Sequence, residues 1–65
     1  MFTTIATSPA SNESRVTKMG SLLAELSGSG IAARADMVEG NVIVEADVRP
    51  TNESAVQFAL LKINA

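Results

Sequence analysis

The chain contains neither cysteine nor histidine. In a sequence of 65 residues that pair of absences constrains the fold more than anything present. A domain this short lies near the size at which apolar burial only just outweighs the entropy of ordering the chain. Disulfides or structural zinc commonly staple such domains. Neither can be built here, so stability must come from one economical hydrophobic core and from surface shared between molecules. Phe2 and Phe58 are the only aromatic residues, which leaves Ala, Val, Leu, Ile and Met to fill that core. Residues 1–65 are therefore expected to form a single domain, with self-association as the remaining staple.

Residues Phe2 to Thr7, FTTIAT, are rich in β-branched side chains and stop at Ser8-Pro9, which predicts a first strand running into a turn. From Ser11 to Leu26, Val16, Met19, Leu23 and Leu26 recur at helical spacing behind Ser11 as N-cap and Glu13 in the first turn. Gly28 is placed to end that helix in a left-handed conformation. A second helix is expected to begin after Pro50 at Thr51-Asn52-Glu53, with Val56, Ala59, Leu60 and Ile63 on one face.

Between the helices, Ile31 to Val38 and Asn41 to Arg49 flank Glu39-Gly40, a pair suited to a tight hairpin turn. With those two residues as the loop, Met37 faces Val42, Ala35 faces Val44, Ala33 faces Ala46 and Ile31 faces Val48, all on one side. Arg34 then opposes Glu45 on the other side, a favourable cross-strand pair. Moving the loop by one residue sets Asp36 against Glu45, two like charges, so the first register is preferred. The Ala-rich run from Ile31 to Glu39 has enough helix propensity to compete with the strand.

The order is β-α-β-β-α. A right-handed crossover makes the first two strands parallel and leaves the place between them to the third. The expected fold class is α+β, a three-stranded sheet with both helices on one face, covering Val42, Val44, Ala46 and Val48. This arrangement resembles a ferredoxin-like fold without its final strand, and the resemblance is one of architecture alone.

The formal net charge is -2 and the five basic residues, Arg15, Lys18, Arg34, Arg49 and Lys62, are scattered. That balance argues against nucleic acid as the main partner, because such affinity rests on clustered cations. No apolar run approaches the roughly 20 residues that span a bilayer, so no membrane partner is expected. The start of the sequence has neither the basic residues nor the apolar stretch of a signal peptide, which makes a cytoplasmic location the expectation.

Several patterns tempt a chemical reading. Gly28-Ser29-Gly30-Ile31-Ala32-Ala33 matches a dinucleotide-loop pattern, but a helix precedes it and a strand is expected after it, the reverse of what the motif requires. Asn12-Glu13-Ser14 and Asn52-Glu53-Ser54 fit a glycosylation pattern and are better read as two similar helix starts. Asp36, Glu45 and Asp47 should share the outer face of the hairpin, where an acidic trio could hold a hard cation or do acid-base work. Interleaved Arg34 and Arg49 instead suggest a salt-bridged solvent face. Without His or Cys there is no base and nucleophile pair, and Lys18 and Lys62 more simply solvate helix faces. The expectations are no enzyme, no cofactor and no metal.

The second helix is the anomaly. Phe58, Leu61 and Ala65 lie about half a turn from its first apolar stripe, with Gln57 and Asn64 dividing the faces on one side and Lys62 on the other. Two stripes imply burial on both sides, and a small monomer covers one. Either the N-terminal segment folds over the second face or that face is a protein interface. The leading expectation is a small non-enzymatic protein-interaction module that forms a homo-oligomer through this helix or a sheet edge, with Phe58, Leu61 and Ala65 as contacts and a protein partner. The alternative is a small nucleic-acid-binding regulator using Arg15, Lys18, Arg34 and Arg49.

Overall fold

A computed structural model describes residues 1–64. Ala65 lies outside them. The elements are β1 (Phe2–Pro9), α1 (Glu13–Gly28), β2 (Ala33–Val38), β3 (Asn41–Asp47) and α2 (Glu53–Asn64). The strands form one sheet in the order β1-β3-β2, antiparallel at both junctions. The expected α+β class, element order and central β3 are all present.

The hairpin has the register that charge pairing selects: Met37 opposes Val42, Ala35 opposes Val44, Ala33 opposes Ala46 and Arg34 opposes Glu45. Glu39 (φ 50) and Gly40 (φ 79) both take left-handed conformations, as a two-residue turn matching the strand twist demands. Strand pairing thus prevails over the helix propensity of the Ala-rich run. Ile31 differs from expectation. Its amide donates to the carbonyl of Leu26 (2.9 Å), so it belongs to the end of α1, and Val48 has no strand partner.

That helix end also corrects the role expected of Gly28, which is the last helical residue. Gly30, at φ 75, is the left-handed one. The Gly30 amide donates to Ser27 and the Ile31 amide to Leu26, the paired bonds of a Schellman motif, and Leu26 and Ile31 are both buried. At the other end the cap is Asn12, not Ser11. Its side-chain oxygen accepts from the Arg15 amide at 3.1 Å, while a turn bond from the Asn12 amide to the Pro9 carbonyl separates helix from strand. β1 runs on to Pro9, past the expected end at Thr7, and its register slips at Ile5, a bulge.

The core joins Ala6, Val44 and Ala46 of the sheet to Met19, Leu22 and Leu26 of α1 and Val56, Ala59 and Ile63 of α2, with Ile31 closing one end. Leu22 replaces Leu23 in the expected stripe of α1; Leu23 and Val16 are half-buried. Each fully buried Leu contributes roughly 1.5–3 kcal/mol by removal from water.

Coverage of the sheet is uneven. On the helix-facing side, Ala6 and Ser8 of β1 and Val44 and Ala46 of β3 are buried, whereas Ala35 and Met37 of β2 are exposed. The helical layer therefore covers β1, β3 and the start of β2 at Ala33, and leaves the far part of β2 bare. α2 is bound to α1 at its flank by Lys62 Nζ to Glu25 Oε1 (2.7 Å) and Arg15 Nη1 to Asn64 Oδ1 (2.8 Å).

Candidate functional site

α2 is built to face two ways. After Pro50, Asn52 begins the helix: its carbonyl accepts from the Val56 amide, the first helical bond. From there the 3.6-residue period sends Val56, Ala59 and Ile63 into the core and Ser54, Phe58 and Leu61 to the opposite side. Phe58 is 60% exposed and Leu61 67% exposed. The N-terminal segment does not cover them; it is strand β1. Pro50, Glu53, Ser54, Gln57, Phe58 and Leu61 line an open depression of about 440 Å³ on this side. Lys62 Nζ stands 4.9 Å from the centre of the Phe58 ring, so the ammonium that bridges to Glu25 also caps one ring face. Pro50, Glu53, Ser54 and Gln57 were not anticipated as part of this surface, although the spacing of Ser54 and Gln57 relative to Phe58 and Leu61 would have placed them there.

A shallow, open surface of this kind offers nothing to grip a small molecule, which needs enclosure and convergent polar groups. It offers apolar contact area bordered by an amide, a hydroxyl and a carboxylate, the composition of a protein-contact patch.

The acidic residues of the sheet are engaged one by one. Glu45 Oε1 lies 3.2 Å from Arg34 Nε. Asp47 accepts from the amino terminus at 2.6 Å and from Arg49 at 2.7 Å. Asp36 accepts from the Met37 amide at 2.8 Å. Among the described residues no three such side chains converge on a point where a metal ion could sit. The amino-terminal ammonium, followed by Arg49, holds the Asp47 carboxyl below its ordinary value of 3.8.

The basic residues are likewise not brought together. Arg15 and Lys18 lie on α1, in the helical layer. Arg34, on the opposite face of the sheet, packs its guanidinium 4.4 Å above the Phe2 ring while bonded to Glu45. Arg49 is committed to Asp47. The glycine segment after α1 cannot serve a phosphate, because the Ser29, Gly30 and Ile31 amides all donate to carbonyls of the helix end, and a helix C-terminus presents negative potential.

The repeated Asn-Glu-Ser sequence hides a difference. Asn12 caps α1, but the side chain of Asn52 turns backwards, accepting from the Arg49 amide (2.8 Å) and donating to the Asp47 carbonyl (2.9 Å). Shared capping chemistry thus accounts for the first start and not for the second, where the amide staples the β3–α2 turn. Comparison with protein-family models, with curated proteins and with solved structures returned no match for this chain. Among the described residues no helix is long and apolar enough to cross a membrane.

Proposed function

We propose that the protein is a cytoplasmic, non-enzymatic interaction module that self-associates through α2 or a sheet edge, with the outer face of α2 as the leading contact surface for a protein. One observation carries the reading: Phe58 and Leu61 stand side by side and exposed on a helix whose other face already fills the core. Exposed neighbouring apolar side chains of this size mark interaction surfaces more often than idle ones. Ala65 extends the same stripe in sequence and lies beyond the described residues.

Leu61→Asp tests it. A charge at the middle of the face should abolish contacts made there: with α2 as the self-association seam, the solution mass by light scattering falls towards that of a monomer and the melting temperature loses its dependence on concentration. A multimeric mass and melting temperature unchanged in the variant would take self-association away from this face and leave it to a sheet edge. A monomeric mass in both proteins with sharply lower stability would assign Leu61 to the interior of its own chain.

A further inference from the structure

The free edge of β2 is regular, and it is complementary to itself. Even-numbered positions of this strand turn their backbone groups towards β3, as the bond from the Asp47 amide to the Ala32 carbonyl shows. In an antiparallel ladder the alternate residues Ala33, Ala35 and Met37 then direct their amides and carbonyls outwards, away from the sheet. The Met37 amide confirms this direction, since its partner is the neighbouring Asp36 side chain at 2.8 Å and no main-chain group.

We propose that β2 pairs with β2 of a second copy, antiparallel about a two-fold axis at Ala35, to make the continuous sheet β1-β3-β2-β2-β3-β1. The proposal rests on the reading that the chain self-associates, and of the two seams that reading allows it names the sheet edge, leaving the outer face of α2 to a protein partner. Charge selects the register. The outward-pointing residues must pair among themselves, which leaves three central arrangements. Centred on Arg34, the edge sets arginine against arginine; centred on Asp36, it sets carboxylate against carboxylate. Centred on Ala35, it sets Arg34 against Asp36 of the second copy and Asp36 against Arg34, the charge pairing occurring twice by symmetry.

Three further features agree with that register. Arg34 and Asp36 fall at non-hydrogen-bonded positions of the new ladder, where opposed side chains approach most closely. On the helix-facing side, Met37, 59% exposed, meets Ala33 of the second copy, and the small residue leaves it room over the bare part of the sheet. The Met37 amide exchanges the Asp36 carboxylate for a main-chain carbonyl, which frees that carboxylate for Arg34 of the second copy. β1, the other edge, carries a bulge at Ile5 and ends in Pro9, devices that oppose strand addition. Edge charges can also block pairing, but here they repel only in the neighbouring registers and so fix this one.

Sedimentation equilibrium over a range of concentrations tests the seam. Wild type should approach twice its monomer mass as concentration rises. Asp36→Arg should remain monomeric and folded, because Asp36 faces Ile43 within its own chain and the Arg34–Glu45 pair is untouched. Mixing it with Arg34→Asp should restore the doubled mass as a one-to-one complex. Ala35→Pro removes an outward amide that the β2–β3 ladder does not use, so it too should lose the dimer and keep the fold, and it decides the matter if Arg34→Asp fails to fold. Wild type that stays monomeric throughout would overturn the proposal. So would Asp36→Arg and Ala35→Pro that dimerise like wild type; if Leu61→Asp alone then dissociated, self-association would stand with α2 as its seam.

Discussion

The two helices do the same work on their inner sides and opposite work on their outer sides. α1 buries Met19, Leu22 and Leu26 and shows solvent Glu13, Ser14, Thr17, Lys18 and Ser21. α2 buries Val56, Ala59 and Ile63 and shows solvent Phe58 and Leu61. On α1 the largest apolar side chains are inside, as burial energy favours. On α2 an alanine is inside while a phenylalanine is outside. Folding of one chain accounts for every residue of the first pattern and leaves the second without a cause, so the outer residues of α2 answer to something other than the core.

The largest test of that contrast compares two leucines. Leu26→Ala empties a fully buried site and should cost about 2–5 kcal/mol, enough to unfold much of a marginally stable domain. Leu61→Ala, measured on dilute protein where contacts between molecules are absent, should change stability by no more than about 0.5 kcal/mol. Urea unfolding measures both. Equal losses would mean that both faces of α2 are packed within one chain, and the contrast between the helices would disappear.

Their beginnings differ too, and two asparagines sharpen the point. Asn12→Ala deletes one capping bond at the start of α1 and should cost about 1 kcal/mol. Asn52→Ala deletes two bonds, one to a partly buried carbonyl, each contributing roughly 0.5–1.5 kcal/mol net. It should therefore be the more damaging of the two by thermal unfolding. If the two losses matched, Asn52 would be acting as an ordinary cap and the shared tripeptide would mean shared chemistry.

The parts of this fold that were legible in the sequence are those where one local force dominates. The right-handed crossover placed β3 between the other strands, and the opposition of Arg34 to Glu45 fixed the hairpin register, because a slip of one residue brings like charges together. The two-sided pattern of α2 was visible from spacing alone. What escaped depends on three-dimensional competition. Gly28 and Gly30 are both plausible helix terminators, and the choice between them was made by Ile31, which gains more by burying against Leu26 than by extending β2. Asn12 and Asn52 open the same tripeptide, Asn-Glu-Ser, and only the second has the Arg49 amide and the Asp47 carbonyl within reach to turn its side chain backwards. The bare part of β2 could not be foreseen either, since it follows from where along the sheet the helices end, beyond Ala33.

The smallest expected effect concerns the approach to α2. The start of α1 is held by uncharged groups, whereas the chain entering α2 passes Asp47, whose carboxylate binds the amino terminus and Arg49 and whose pKa is thereby lowered from 3.8. A carboxyl with a depressed pKa in the folded state contributes stability that is complete above its unfolded value and is lost as pH falls through the folded one. The advantage of wild type over Asp47→Asn should accordingly be steady from about pH 7 down to about pH 5, then shrink below the ordinary carboxylate value. Because the partners lie at the surface, solvent screening keeps the effect modest, and added salt should reduce it at neutral pH. Thermal midpoints of the two proteins measured side by side across this range give the difference directly. A difference that grows on acidification would reverse the sign and show that Asp47 is more easily protonated in the folded chain than in the unfolded one, leaving the turn before α2 to Asn52 alone.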